Sequence, residues 1–136
     1  MKKVLFVCIE NAGRSQIAEG FFKKLAPSGY QGISAGTIPV PEINPFAVQA
    51  MKEVGIDISD NKSKLVTNEM IEESNSVVNM GCMDKESCPL LFGEEIDDWG
   101  IEDPKGKSIE DVRRIRDSIE LKVKELVRYL KENEKF

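Results

Sequence analysis

The chain has 136 residues, of which 40% are hydrophobic and 32% charged, and its formal net charge is −5. This length fits one domain, residues 1–136, able to bury about two thirds of the unfolded surface. The acidic balance argues against a surface for nucleic acids or anionic membranes, because both bind clusters of lysine and arginine. No apolar run approaches a transmembrane helix in length, so we expect a cytoplasmic protein. We also expect it to be a monomer.

Histidine is absent, and cysteine occurs three times. The absence of histidine excludes Ser-His-Asp and Cys-His catalysis, and it leaves zinc with thiolates and carboxylates as side-chain ligands. An odd number of cysteines in a cytoplasmic chain favours catalytic or redox-active thiols over a disulfide framework. A catalytic cysteine here must therefore be activated by backbone groups and arginine, and we expect no bound metal ion or cofactor.

Residues 4–15 predict a buried strand, a tight loop and the start of a helix. The run Val4-Leu5-Phe6-Val7 is short, apolar and partly β-branched, which is typical of a strand covered on both faces. Cys8 then lies at the carboxyl end of the strand. Ser15 is predicted to cap the following helix, which runs to about Leu25.

Strands and helices alternate along the rest of the chain, which predicts a parallel sheet. A proline-bearing loop precedes the second helix, with Asn44 as its N-cap and Pro45 at its first position, and Ser108 caps the last helix. The remaining predicted elements are a strand over 30–35, helices over 45–55 and 67–73, strands over 76–80 and 96–99, and a long amphipathic helix after 108. We predict an α/β fold with a central four-stranded parallel sheet and helices on both faces.

The loop that follows Cys8 has the composition of an anion cradle. A loop that enters a helix from a parallel strand directs free backbone N–H groups inward, and the helix dipole adds partial positive charge. Arg14 can hold two oxyanion oxygens, Gly13 permits unusual backbone angles, and such surroundings favour the nucleophilic thiolate of Cys8. The predicted substrate-binding residues are Ile9, Glu10, Asn11, Ala12, Gly13 and Arg14. The alternative is a buried cysteine in an ordinary strand-to-helix turn.

Four further residues have predicted roles around Cys8. Ser15 is expected to donate its hydroxyl to the thiolate, and Asn11 to adopt a left-handed backbone conformation and tie the loop. Glu10 is expected to point to solvent, because a carboxylate beside an anion site repels the substrate. Asp103, which precedes Pro104 and the last helix, can protonate a leaving oxygen; an ordinary Asp-Pro turn is the alternative.

Cys82 and Cys88 follow the third predicted strand. Residues six apart on a regular helix have Cα atoms about 10 Å apart, whereas a disulfide needs less than about 7 Å. If these cysteines form a disulfide, the segment between them is therefore not an intact helix. Two unrelated thiols are the alternative, and a zinc site is poorly supported because the spacing lacks a short ligand hook.

The loop Cys8-Ile9-Glu10-Asn11-Ala12-Gly13-Arg14-Ser15-Gln16 resembles the one shared by low-molecular-weight tyrosine phosphatases and thioredoxin-coupled arsenate reductases, two families with one fold. Three further features resemble the reductases: the run 14–20, the pair Cys82 and Cys88, and the run 99–107. This resemblance implies a low-molecular-weight phosphatase-like fold. It also implies reduction of arsenate to arsenite, with external thioredoxin as the electron donor.

The mechanism that the resemblance implies is a relay of three cysteines. Cys8 attacks arsenate while Asp103 assists the loss of water, and Arg14 and Ser15 support the site. Cys82 then attacks Cys8 and arsenite is released. Cys88 next attacks Cys82, which frees Cys8 and leaves a disulfide that thioredoxin reduces.

The chain departs from this family pattern in two places. Many members separate the second and third cysteines by one more residue than the five found here. Some members bind potassium beside the loop through an acidic residue that aligns with Lys64. Our hypothesis is that the Lys64 ammonium takes the place of that cation.

Two other functions fit part of the sequence. A tyrosine phosphatase would hydrolyse aryl phosphates through a phosphocysteine at Cys8, but it expects proline and an aromatic residue where this chain has Gln16 and Lys105. Weak activity of that kind is expected, because arsenate and phosphate share shape and charge. A non-catalytic module that binds anions, or that reports oxidation of Cys8, is the third interpretation.

Overall fold

A computed structural model describes residues 1–80 and 96–133. The strands are β1 (Lys2–Cys8), β2 (Tyr30–Gly36), β3 (Ser76–Asn79) and β4 (Ile96–Asp98). The helices are α1 (Arg14–Leu25), α2 (Pro45–Glu53), α3 (Asn68–Glu73) and α4 (Ile109–Asn133). All strand pairs are parallel and their order is β2-β1-β3-β4. The predicted four-stranded parallel sheet is confirmed.

The two faces of β1 are covered by different helices, because successive side chains of a strand point to opposite faces. Phe6 and Cys8 belong to a large core that includes residues of α1, α2 and α4. Leu5 and Val7 belong to a smaller core, against which Met70 and Ile71 of α3 pack. Helices therefore cover both faces of the sheet, as predicted.

The apolar stripe of α4 forms one side of the larger core. Six of its residues are buried: Val112, Ile115, Ile119, Val123, Val127 and Leu130. Ile109 and Leu126 are partly buried. Ser108 Oγ accepts a hydrogen bond from Asp111 N at 3.2 Å, which confirms the predicted cap. None of the helices within the described residues is long and apolar enough to cross a membrane.

Helix α2 begins as its sequence predicts. The Asn44 side chain accepts hydrogen bonds from the backbone N–H groups of Phe46 and Ala47, and Pro45 occupies the first helical position. Glu53, the last residue of α2, forms ion pairs with Arg113 and Arg116 of α4 at 2.7 and 2.9 Å. These contacts hold the end of α2 against the long carboxyl-terminal helix.

The predicted start of α1 is two residues too late, because the observed N-cap is Gly13 and the predicted one is Ser15. The helix begins at Arg14, with Gly13 at the N-cap and a hydrogen bond from Ile17 N to Gly13 O at 2.9 Å. Ser15 lies inside the first turn and does not cap it. Its hydroxyl is instead engaged by Cys8 and Asn11 at the carboxyl end of β1.

The strand order places a functional site at one edge of the sheet. The chain leaves β1 through α1 to β2 on one side, and it later crosses to β3 on the other side. In open parallel sheets, ligands bind beyond the carboxyl ends of the strands where this change of direction occurs. Cys8 is the last residue of β1 and therefore lies at that point.

Candidate active site

A neighbouring segment braces the loop between β1 and α1 from outside. We call residues 8–14 the oxyanion loop and residues 37–44 the bracing segment. Four backbone hydrogen bonds join them: Thr37 N to Cys8 O (3.2 Å), Ile38 N to Ile9 O (2.8 Å), Val40 N to Glu10 O (3.2 Å) and Asn44 N to Ala12 O (2.8 Å). In a trans peptide the next N–H points away from the carbonyl. The bracing segment thus turns the loop carbonyls outward and the following N–H groups inward.

One of these inward N–H groups, that of Asn11, donates to the Cys8 sulfur. The sulfur is buried, with 3% exposure, and it accepts a hydrogen bond from Asn11 N at 3.1 Å. Ser15 Oγ lies 2.9 Å from the sulfur and also accepts a hydrogen bond from Asn11 Nδ2 at 2.7 Å. Because the amide can only donate, the Ser15 hydroxyl hydrogen is free to point at the sulfur. The predicted contact between Ser15 and Cys8 is confirmed.

Asn11 holds the oxyanion loop in shape. Its φ of 52° is in the left-handed region, and its Oδ1 accepts a hydrogen bond from Lys64 N at 2.9 Å. With the bond to Ser15, its side chain links the loop both to α1 and to the chain near residue 64. The supporting role predicted for Asn11 agrees with this geometry.

Arg14 is oriented by the segment that follows β4. Its side chain is buried, and Nη1 donates to Ile101 O at 2.8 Å. Nη2 lies 3.5 Å from Asp103 Oδ2, and the Asp103 carboxyl is half exposed. The turn is held by Lys105 N, which donates to Asp103 Oδ1 at 3.0 Å. We call residues 101–107 the acid segment, since it brings Asp103 to the guanidinium.

Gly13 has the unusual backbone angles that the sequence predicts, φ −137° and ψ −92°, and it also allows a close approach between two segments of the site. A Cβ at this position would lie 2.9 Å from Pro104 Cγ. The missing side chain lets the acid segment pack directly on the oxyanion loop.

The predicted orientation of Glu10 is wrong. Its side chain is 26% exposed and lines the cleft above Cys8, instead of pointing away into solvent. Lys105 Nζ lies 3.2 Å from Glu10 Oε2. The carboxylate can face an anion site because this ammonium offsets its charge.

The cleft has a volume of about 360 Å³ and three walls, formed by the oxyanion loop, the bracing segment with the start of α2, and the acid segment. Of the predicted substrate-binding residues, Glu10, Ala12, Gly13 and Arg14 line it together with Cys8 and Asp103. Ile9 and Asn11 are absent from the described lining. The Asn11 side chain is bonded to Ser15 and to the backbone of Lys64, so Asn11 acts by supporting the loop.

Gln16 is a site residue that the sequence reasoning missed. It is fully buried, and its Nε2 donates to Asn11 O at 3.1 Å and to Lys62 O at 3.3 Å. Its Oε1 accepts a hydrogen bond from Asn61 Nδ2 at 3.0 Å. The signal available in the sequence was a polar side chain in the first turn of α1. The structure shows that this part of the helix, residues 14–22, is buried.

Lys64 bears on the potassium site that the family resemblance implies. Its ammonium donates to Lys62 O at 3.3 Å, and the same carbonyl accepts from Gln16. In place of the acidic residue that binds potassium in those family members, this chain has the Lys64 ammonium, which is bound to the Lys62 carbonyl. Within residues 1–80 and 96–133, no group of three or more acidic or cysteine side chains is arranged to hold a metal ion. The residues present do not fit potassium at this position.

Cys82 and Cys88 lie outside the described residues. The chain that leads to them is well placed, because Met80 N donates to Val7 O at 2.9 Å and Val7 precedes Cys8. Ile101 N donates to Met80 O at 2.8 Å, so the acid segment starts from the same point.

Comparison with known proteins assigns the fold to a family. A family model described as low molecular weight phosphotyrosine protein phosphatase matches residues 3–136. The chain belongs to the low-molecular-weight phosphotyrosine protein phosphatase family.

Three of the proteins that are similar to this chain are named as arsenate reductases. An arsenate reductase of Staphylococcus aureus is 41% identical to this chain over 124 residues, which cover 90% of this chain and 93% of that protein. A solved arsenate reductase in a phosphate-binding state has a TM-score of 0.83 and 36% identity, and covers 95% of this chain and 98% of that one. A thioredoxin-dependent arsenate reductase of Corynebacterium glutamicum has a TM-score of 0.80 and 34% identity, over 98% of this chain and 63% of that one.

Proposed function

We propose that this protein reduces arsenate to arsenite and takes its electrons from thioredoxin. The observation that carries the proposal is the Cys8 sulfur, held by Asn11 N–H and Ser15 in a loop that also bears a buried arginine. The similarity to arsenate reductases, one of them thioredoxin-dependent, supports the same conclusion. The activity would serve arsenic detoxification.

In the first step, the Cys8 thiolate attacks arsenic and one arsenate oxygen leaves as water. Inward backbone N–H groups and the Arg14 guanidinium hold the remaining oxygens, which charge-assisted hydrogen bonds favour. The Asp103 carboxyl, near Arg14, supplies the proton that the leaving oxygen needs. The product is an arsenic ester of Cys8.

In the second step, the Cys82 thiolate attacks the Cys8 sulfur. A Cys8–Cys82 disulfide forms, the electron pair of the sulfur–arsenic bond stays on arsenic, and arsenite is released. Cys82 follows Met80 by two residues, a span of at most about 7 Å. Because Met80 is bonded to Val7, this reach supports Cys82 as the attacking residue.

In the third step, Cys88 attacks Cys82, which returns Cys8 as a thiolate and leaves a Cys82–Cys88 disulfide. The dithiol of thioredoxin then reduces this disulfide and is itself oxidised. Such a cycle needs a reducing compartment, and we therefore place the protein in the cytoplasm.

The experiment is a coupled assay with arsenate, thioredoxin, thioredoxin reductase and NADPH. We expect the wild type to turn over many times, and Cys8→Ser, Cys82→Ser and Cys88→Ser each to lose thioredoxin-dependent turnover. Ser76→Ala, at the opposite end of β3, is the control. Undiminished cycling by Cys88→Ser would remove the role proposed for that residue.

Phosphate-ester hydrolysis is a second candidate, favoured by the approach of Asp103 to Arg14 at 3.5 Å. The same loop would hold a phosphate, and Asp103 would protonate the leaving alcohol. This activity needs neither Cys82 nor Cys88. Hydrolysis of 4-nitrophenyl phosphate that survives Cys82→Ser and fails in Cys8→Ser is the expected signature.

A further inference from the structure

Two oppositely charged side chains meet at the outer edge of the cleft. Lys105 Nζ lies 3.2 Å from Glu10 Oε2, and both residues line the cleft with Cys8. The Lys105 side chain is 71% exposed and that of Glu10 is 26% exposed, whereas Cys8 is buried. The ion pair therefore lies on the solvent side of the sulfur.

This ion pair joins two walls of the cleft that are distant in sequence. Glu10 belongs to the oxyanion loop, and Lys105 to the acid segment that carries Asp103. The backbone of Lys105 also bonds Asp103 Oδ1 at 3.0 Å. One residue thus forms the turn at Asp103 and, through its side chain, crosses to the loop that binds the anion.

The charges explain why both members are needed. A carboxylate in the oxyanion loop opposes the binding of a dianion, and a partner of opposite charge cancels most of that effect. The geometry adds a constraint on size. A bare tetrahedral oxyanion can lie inside the loop, whereas an organic substituent on it extends into the cleft that Glu10 and Lys105 line.

We propose that the Glu10–Lys105 ion pair is a specificity element that favours free inorganic oxyanions over oxyanions carrying an aryl group. Within the ion pair, Lys105 offsets the charge of Glu10 when a small dianion binds. A larger ligand must displace the ion pair. This inference rests on the proposed function for the position of the oxyanion. It concerns binding alone and is independent of the cysteine relay.

The test measures the dissociation constants of inorganic phosphate and phenylphosphonate. Each ligand protects Cys8 from iodoacetamide, in Cys82→Ser/Cys88→Ser protein where Cys8 is the sole thiol. Lys105→Met leaves Glu10 uncompensated, so phosphate binding should weaken about two- to fivefold, the range typical of exposed ion pairs. Adding Glu10→Gln should restore phosphate binding and tighten phenylphosphonate binding about two- to fivefold relative to the parent protein.

Two controls keep these results specific. Lys124→Met breaks another exposed ion pair, with Glu120 at 3.4 Å on α4, and should leave both constants unchanged. Lys105→Arg preserves the charge and should preserve the ratio of the two constants.

The proposal is overturned if Lys105→Met and the double variant bind phosphate equally weakly, or if the ratio of the two constants stays the same in all variants. If the wild type does not reduce arsenate but the dissociation constants change among the variants as expected, the proposed function is contradicted and the role of the ion pair stands. If the wild type reduces arsenate but the ratio of the two constants is the same in all variants, the role of the ion pair is contradicted and the proposed function stands.

Discussion

Asn11 Nδ2 donates a hydrogen bond to Ser15 Oγ over 2.7 Å, and Ser15 Oγ in turn lies 2.9 Å from the Cys8 sulfur. The amide therefore determines the direction of the serine hydroxyl, which is left to donate to the sulfur. A side chain outside the described lining of the cleft thus prepares the nucleophile.

Removing this hydroxyl should make Cys8 less reactive. Ser15→Ala deletes one hydrogen bond to a thiolate, and bonds to charged groups contribute about 1.5–3 kcal/mol. We expect the rate of iodoacetamide alkylation of Cys8 at pH 7 to fall at least about tenfold. Asn11→Ala should act in the same direction. Ser108→Ala, which removes the cap of α4, is the matched control, and a Ser15→Ala rate equal to its rate would contradict the account.

A methyl group at Gly13 should separate the acid segment from the oxyanion loop. The new Cβ would lie 2.9 Å from Pro104 Cγ, so the chain at Asp103 must move. We expect Gly13→Ala to slow arsenite release in a single turnover about as much as Asp103→Asn, by a factor of about 10² or more. Pro104→Ala removes the clashing carbon and should recover part of the rate. A Gly13→Ala enzyme with normal rates would show that this contact has no functional role.

The Lys64 ammonium should make the enzyme indifferent to potassium. The ammonium donates a hydrogen bond to the Lys62 carbonyl, which also accepts one from Gln16, and its charge would repel a cation at this position. Steady-state reduction should be equal in potassium and choline chloride of the same ionic strength. Lys64→Asp reverses the charge and should acquire a potassium dependence. A marked potassium requirement in the wild type would refute this role of Lys64.

The ion pairs between α2 and α4 should contribute stability that is lost in acid. The hydrogen bond from Arg113 is the largest cause that lowers the pKa of Glu53, and Arg116 adds to it. A carboxyl whose folded pKa is depressed stabilises the protein above its unfolded pKa and loses that effect as pH falls through the folded value. The difference in unfolding free energy between wild type and Glu53→Gln should therefore be constant above about pH 5 and shrink as the pH falls below the unfolded pKa of about 4.3. In an Arg113→Met background, where Arg116 remains, it should be smaller at every pH; a difference independent of pH would contradict the assignment.

Much of the fold is predictable because its signals are local. Asn44 followed by Pro45 predicts the start of α2, and the spacing of apolar residues after Ser108 predicts the buried face of α4. The family resemblance, rather than a local signal, predicts that Asp103 acts beside Cys8 and Arg14, and the structure brings Arg14 and Asp103 together.

The remaining features depend on contacts between distant parts of the chain. Ser15 reads as a helix cap until Asn11 is seen to bond its hydroxyl. The sequence predicts that Glu10 points to solvent because its charge has no partner nearby in the chain. Its actual partner, Lys105, lies 95 residues later. The bracing segment leaves no sequence signal, since its bonds to the oxyanion loop are made by backbone groups.

The most direct test of the central claim is disulfide mapping by mass spectrometry after one turnover with arsenate, without thioredoxin. The account predicts a Cys82–Cys88 disulfide and a free Cys8 in the wild type, one arsenite per protein, and a trapped Cys8–Cys82 disulfide in Cys88→Ser. Arsenite produced with all three thiols still reduced, or a Cys88→Ser protein whose disulfide excludes Cys8, would contradict it.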